Sequence, residues 1–469
     1  MNPHRRPLPG WGRAARACWF GGWVSSSVLA QTAGDLRVPS YLTDAPANQL
    51  PTVPNRAGDP ADAFRAIPGL PYQGPMTAGP GKRAAGLTYG FFGGVDTTYT
   101  DNALMTGSGL GASDDLLVTT SVGVRLGYAI TDQSSLDVNL GVSYRYSMNY
   151  QSFTQFNLVP NSTLSYRLLV GDVMLNFYNR TTSGADYRSE LAGNGSASAV
   201  NLNRLSNSSG LTGIWAPTKD VSVSAGYSYD INRGLGDSFA ILDQDIHSLS
   251  AAVYDRLSPY WTVGFSAGAS FTSYAKNFQN DSTGYSAGPM VSFSPNAYIT
   301  ISASVRYQIV EFSTSGTVGD RRNFGGPTWN LAASQILTPH LTHSATVSSG
   351  VTSGLGSNFT ESLSAGYTLG WQFMKNIGLN ASFTYTDVKQ SGRSNALFVY
   401  QVNGVNYLVP VTVTLNDSAV LYDFHVGTGY QFSPNLRASI GYSHIIRDST
   451  FAIRGYHANT VSVGVGISF

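Results

Sequence analysis

The stretch Val461-Ser462-Val463-Gly464-Val465-Gly466-Ile467-Ser468-Phe469 alternates large apolar and very small side chains without a break. Successive side chains of a strand point to opposite faces, so the four aliphatic residues and Phe469 share one side, and only Ser and Gly occupy the other. A half-buried strand of a soluble sandwich can carry such a run, but a soluble domain rarely stops flush on its most apolar face. A strand with lipid on one side and a polar lumen on the other needs this pattern and no tail. The expectation is a transmembrane β-barrel whose last strand ends on Phe469.

The same period of two runs back through the chain. Leu116, Val118, Thr120, Val122, Val124, Leu126, Tyr128 and Ile130 share one face; Thr119, Ser121, Gly123, Arg125 and Gly127 share the other. After Thr131-Asp132-Gln133 comes a partner with Leu136, Val138, Leu140, Val142, Tyr144 and Tyr146 outward and Asp137, Asn139, Gly141, Ser143 and Arg145 inward. Both runs exceed the 9–11 residues that a tilted strand needs to cross a bilayer. Composition agrees. Charged residues are only 12% of 469, against about 25% in soluble domains, and Gly accounts for 51. Mean hydropathy is −0.07, as expected when an apolar outside and a polar inside cancel. No window approaches 18 consecutive apolar residues, which excludes a helical membrane protein.

Residues 1–30 have the pattern of an export signal: Arg5, Arg6, Arg13 and Arg16, a short apolar core, and Val28-Leu29-Ala30 as a cleavage site. The only cysteine, Cys18, lies inside it, so the exported chain would carry no thiol, as suits an oxidising periplasm. Of 28 Lys and Arg, the four signal arginines leave with it; the remaining 24 against 27 acids give about −3, with no basic stripe for nucleic acid. Residues 31–82 are rich in Pro, Gly and Ala without a period and are expected to be a flexible periplasmic extension; 83–469 are expected to form the barrel.

Tight turns at Ala216-Pro217-Thr218, Ser258-Pro259-Tyr260, Ser294-Pro295-Asn296, Thr338-Pro339-His340, Met374-Lys375-Asn376 and Ser433-Pro434-Asn435 separate alternating runs. Longer polar segments at 100–113, 147–161, 180–198, 232–244, 275–283, 313–324, 353–358, 390–415 and 448–457 lie between them. Short turns at one end and long loops at the other are the outer-membrane asymmetry. The runs at 87–99, 115–130, 135–147, 162–170, 172–180, 199–216, 220–231, 245–257, 260–274, 284–294, 297–312, 325–337, 340–352, 359–373, 376–389, 416–432, 435–447 and 458–469 predict 18 strands; without the irregular pair at 162–180 and 199–216 there would be 16. Either number encloses an aqueous channel. Trp215, Trp261, Phe293, Tyr298, Trp371, Phe373, Tyr430, Phe432 and Phe469 lie beside turns, and Tyr99, Tyr146, Tyr229, Tyr274, Tyr307, Tyr385 and Tyr442 near loops, as two aromatic girdles should.

Candidate chemistry is sparse. His340 and His343 fall on opposite faces of a strand, so one metal ion could not take both, and a structural turn is expected. Asp423 and His425 share an inward face at i and i+2, a spacing that could seat a base pair, but no nucleophile motif accompanies them. Gly107-Ser-Gly-Leu-Gly111 has no helix behind it to form a phosphate cradle. Neither a catalytic residue nor a metal or cofactor site is expected. Arg125, Asp137, Arg145, Arg167, Arg306, Asp423, His425 and Arg437 are expected to line the lumen, because an Arg on the lipid face would cost about 2–4 kcal/mol. They would form a polar network or a charged constriction, with a slight anion preference from five arginines against two acids.

Gly90-Phe-Phe-Gly-Gly-Val-Asp-Thr-Thr-Tyr-Thr-Asp-Asn102, Leu158-Val-Pro160 leading to Leu164-Ser-Tyr-Arg167, and Gly171-Asp-Val-Met-Leu-Asn-Phe-Tyr-Asn-Arg180 resemble the porin-2 family of Gram-negative outer-membrane β-barrels, from about residue 85 to the C-terminus. The resemblance implies an outer-membrane pore and supplies no site residues. The last strand also resembles the signal read by the barrel-assembly machinery. The expectation is therefore an all-β, antiparallel up-and-down barrel in outer-membrane lipid, passing small polar solutes or serving surface-polysaccharide export, with segment 390–415 the first candidate to fold into the lumen. The rival expectation is a plugged structural or surface-binding barrel.

Overall fold

The computed structural model describes residues 82–84, 86–103, 114–131, 133–159, 162–184, 204–235, 243–277, 279–316, 321–353, 357–391, 394–402, 405–415, 418–450 and 455–469. The expected export signal, the extension up to residue 81 and the glycine-rich 107–111 lie outside them.

Eighteen strands form the wall: β1 Leu87–Thr100, β2 Asp115–Thr131, β3 Ser134–Ser147, β4 Ser162–Val170, β5 Val173–Gly184, β6 Arg204–Trp215, β7 Val221–Gly234, β8 Gln244–Arg256 and β9 Trp261–Tyr274. They continue as β10 Ser282–Asn296, β11 Ile299–Phe312, β12 Phe324–Thr338, β13 Leu341–Ser353, β14 Phe359–Met374, β15 Ile377–Gln390, β16 Ser418–Ser433, β17 Leu436–Ser449 and β18 Tyr456–Ser468. Each pairs antiparallel with its sequence neighbours, and β18 pairs with β1 from Phe92↔Ser468 to Thr100↔Thr460. The sheet is closed. Phe469 extends the seam by exchanging backbone hydrogen bonds with Phe91 at 3.1 and 2.8 Å. At the other end of the seam, the Asp101 carboxylate accepts from the Asn459 backbone at 2.7 Å and from its amide at 2.6 Å. Closure removes the unpaired edge that a sheet in lipid cannot tolerate.

Every expected run forms a strand, including the irregular pair, so the 16-strand alternative is excluded. Three details differ. The first lies in 147–161, where Gln155–Leu158 pairs with Val142–Arg145 and continues β4 upward past a register offset, while Gln151–Phe153 makes a single 3₁₀ turn. The second lies in 390–415, which holds a hairpin of its own, Ser394–Val402 against Val405–Leu415. Its signal was present in the alternation Val409, Val411, Val413, Leu415. The third is the turn placed at Ser294-Pro295-Asn296, which lies two residues later: Asn296 Oδ1 accepts from the backbone of Tyr298 and Ile299, and Pro295 sits within a register shift of β10. A proline that cannot donate to the ladder is tolerated at such an irregularity.

The other tight turns work as their residues dictate. Ser258 Oγ accepts from the Trp261 backbone at 3.1 Å, and Ser433 Oγ from Leu436 at 3.1 Å, each reaching around the proline that follows it. The two-residue link between β4 and β5 places Gly171 at φ +59°, a conformation glycine adopts without steric cost.

The apolar row of each strand faces outward. Val122, Leu140, Val142, Val253, Phe265, Val305, Ile440, Val463 and Val465 are each roughly half exposed. Most of the expected girdle aromatics are exposed as well; Phe293, Tyr229 and Tyr385 are partly covered because they pack on Trp261, His247 and Tyr422. Tyr274 departs from the girdle: it pairs with Gln244 in the inward row, because it shares the parity of Ser270 and Thr272. Lys82–Ala84 folds back onto Tyr89–Leu87, next to the end of β18.

Candidate functional site

The candidate site is the inner wall, and strand parity decides what it carries. Arg125, Asp137, Arg145, Arg167, Arg306, Asp423, His425 and Arg437 all occupy the row opposite the exposed apolar side chains of their strands. The structure adds inward charges that the clearest alternating runs did not contain: Asp96, Asp115, Arg180, Arg204, Asp230, Arg256 and Arg447. Arg180 and Arg204 sit at strand ends next to long loops, and Asp115 begins a strand, where the pattern is too short to assign a face by itself. The acids among them weaken the five-to-two excess of arginine expected at first.

The charges are not spread evenly. Among the described residues the inward rows of β9 to β15 hold Ser, Thr, Gly, Asn, Gln and a few apolar side chains, with Arg306 the one charge. The arc from β16 through the seam to β8 holds all the others.

Most of those charges are held in place. Arg167 Nη2 donates to Asp137 Oδ2 at 2.6 Å. Asp115, fully buried, accepts from Ser147 Oγ at 2.5 Å and from the backbone of Leu116 and Asn149 at 2.9 and 3.0 Å. Asp230 accepts from Ser228 Oγ at 3.1 Å, with Arg180 close enough to act on it electrostatically. Thr98 Oγ1 donates to Asp96 at 2.8 Å. Arg447 is 2% exposed, and Arg145, Arg180, Arg204, Asp423 and His425 are all engaged by neighbours.

Large inward side chains lie flat on glycines of adjacent strands. A Cβ at Gly123 would stand 2.1 Å from Phe92 Cζ, and one at Gly210 would stand 2.5 Å from the Tyr178 ring. These glycines let an aromatic lie along the wall instead of crossing the lumen. Arg125 stacks over the Phe92 ring with Cζ 4.9 Å from its centroid, a cation–π contact.

Apolar patches also face inward, which alternation alone did not predict. Ile214 and Tyr254 are buried with Met174, Ala252 and Met290 around them, in the turn-side half of β5 to β10. Val388, Ala419 and Leu421 form another patch on the loop side. Phe153, from the 3₁₀ turn, packs on inward Leu117 beside Ala103 and Tyr150.

The histidine pair separates as its spacing required. His340 lies in the turn, and His343 faces outward between Gln335 Oε1 at 3.2 Å and the Tyr367 hydroxyl at 3.3 Å. Among the described residues no group of three or more His, Cys, Asp or Glu could hold a metal ion.

No family model and no curated protein matches the chain. Solved structures overlap loosely with it. Pseudomonas aeruginosa OccK2 (OpdF) in complex with glucuronate is 10% identical, with a TM-score of 0.47 over 82% of this chain and 98% of that one. Pseudomonas aeruginosa OpdK with vanillate is 10% identical, TM-score 0.45, over 81% and 99%. A loop-deleted OmpT, an outer-membrane protein of Vibrio cholerae, is 13% identical, TM-score 0.37, over 82% and 100%. The barrel assignment rests on the closed ladder of strand pairs and not on these overlaps.

Proposed function

We propose that this chain is an outer-membrane barrel that passes small polar solutes passively, with Leu87 and Phe469 on the periplasmic side. The observation that carries the proposal is the closed 18-strand wall with an apolar outer row and an inner row of hydroxyls, glycines and braced charges. An outer surface of half-exposed Val, Leu and Phe between two aromatic belts suits lipid and would be an aggregation hazard in water. A ring of this strand number has room for a water-filled lumen. Arg125, Asp137, Arg145, Arg167, Arg306, Asp423, His425 and Arg437 would line it. The strand ending in Phe469 would be the part recognised by the assembly machinery.

One observation favours the plugged alternative: the 3₁₀ turn Gln151–Phe153 packs on the inner wall at the loop end. Reconstitution into planar bilayers separates the two readings. Stepwise insertions with ohmic current are expected; a folded, inserted barrel without steps at any voltage would be a plug. Liposome swelling with sugars of graded size would then give the cutoff.

A further inference from the structure

We propose that the outer face of β5–β8 is a contact surface for a second copy of this chain, two barrels packing side by side through this sector. The inference goes beyond the passage of solutes and does not depend on it.

On β3 the outward row runs Leu136, Val138, Leu140, Val142, Tyr144 and Tyr146 without an amide or a charge. The apolar row of β5–β8 is far shorter. Only Val173, Leu175 and Phe177 precede Asn179 on β5, and only Trp215, Gly213 and Leu211 separate the turn from Ser209 on β6. On β8, Leu249, Ala251 and Val253 stand between outward Asp255 and outward His247. Each of these rows falls short of the 9–11 residues that a tilted strand needs to cross a bilayer.

Above the short rows, polar side chains form one outward patch joined across the strands. Asn179 Nδ2 donates to Asn207 Oδ1 at 3.2 Å and to Ser209 Oγ at 2.8 Å. Asn207 Nδ2 donates back to Asn179 Oδ1 at 3.2 Å and to Thr181 Oγ1 at 2.7 Å. Beside them the Tyr229 ring stacks on His247, centroids 4.6 Å apart, and its hydroxyl donates to Asp245 Oδ1 at 3.1 Å. Arg233 Nη2 donates to the same oxygen at 2.7 Å. The register makes the patch continuous: Asn179 pairs with Ser209, Ser209 with Tyr229, and Tyr229 with His247.

A short apolar row in lipid is relieved by thinning the bilayer or by association. Acyl chains have no group to meet amides and a carboxylate. A protein that covers the sector removes the lipid there, and the height of the apolar row then ceases to matter. The patch suits its own copy better than a lipid phosphate. Its ion pair, Arg233 with Asp245, cancels, so no surplus positive charge holds an anion and two such faces meet without repulsion. Exposed Phe177, Leu211 and Leu249 just below it supply apolar contact. Four strands about 4.8 Å apart and about 40 Å long present roughly 750 Å². A stable interface takes about 800 Å² from each partner.

The test is cross-linking of the full-length barrel in phospholipid vesicles. Cys18 is the only cysteine, so in a Cys18→Ser background one introduced thiol reports alone. Leu211→Cys lies in the sector, and Val122→Cys lies outward on β2, away from it. With a short bismaleimide, Leu211→Cys should give a species of twice the mass whose yield survives dilution of the protein with lipid. Val122→Cys should stay single. Phe177→Cys, paired with Leu211 on the next strand, repeats the measurement if Leu211→Cys does not insert. Adding Asn179→Leu with Asn207→Leu extends the apolar row and should lower the yield about fivefold, the worth of one or two hydrogen bonds in lipid. No cross-link from either sector thiol, or an equal yield at Val122→Cys, overturns the contact and leaves bilayer thinning as the relief of the short row. A yield unchanged by the two leucines overturns it as well. The readout needs no current, so the contact and the pore reading stand or fall separately.

Discussion

The arc of wall from β9 to β15 and the arc from β16 through the seam to β8 are built from strands of similar length, yet they stabilise themselves differently. Among the described residues, the inner row of the first presents hydroxyls and glycines with one charge, Arg306, and that of the second presents eight arginines and five aspartates. Ser and Thr can donate and accept at once, so hydroxyls of this arc can pair with one another across strands, as where Ser364 and Thr386 lie 3.0 Å apart. An arginine cannot do this. It has donors only and must find an acceptor, so the charged arc is braced by Arg167–Asp137, by the buried Asp115 and by aromatics laid over glycines. A neutral arc facing a charged one gives the lumen a transverse field whose sign the arginines set.

That contrast can be broken by mutation. The largest effect is expected from Gly123→Val, since even a Cβ collides with Phe92 and stands 2.5 Å from the Leu140 carbonyl oxygen. The barrel should lose about 3 kcal/mol, read by urea unfolding in lipid vesicles. Asp137→Ala strands Arg167 and should cost about 1–3 kcal/mol in the same assay. In reversal-potential measurements R125Q with R437Q should move the permeability ratio toward potassium by about fivefold, the equivalent of ~1 kcal/mol, while Thr368→Ser on the hydroxyl arc should not move it. Ser364→Ala should cost only about 0.5–1.5 kcal/mol, one neutral hydrogen bond. The smallest effect belongs to Gly378→Ala, where nothing lies within 4 Å. It should be neutral or stabilising by up to about 1 kcal/mol. If Gly378→Ala destabilised the barrel as much as Gly123→Val, the two arcs would not differ in packing as described.

Legibility followed the length of the pattern. Strands such as Asp115–Thr131 and Ser134–Ser147 repeat their alternation often enough that both the strand and its inward face could be assigned from sequence, and Arg125, Asp137 and Arg145 followed directly. Arg180 and Arg204, near long loops where the pattern was short, were missed, and Asp115 was missed because it stands at the very first position of its strand. Met174, Ile214 and Tyr254 were missed for another reason. An inward apolar residue breaks the polar expectation for the lumen, and its cover comes from strands remote in sequence.

The sequence by itself determined that this is a barrel, a strand number of 18 or 16 that the structure resolved to 18, the end bearing the short turns, and the pairing of the strand that ends in Phe469 with the strand from Leu87. A period of two maintained over whole strands leaves no other way to bury one face and satisfy every backbone group in lipid. Only the tertiary structure decided which inward charges are braced and which are not, and that the charges gather on one arc. Residues far apart in the chain, such as Asp101 and Asn459, meet only once the seam is closed.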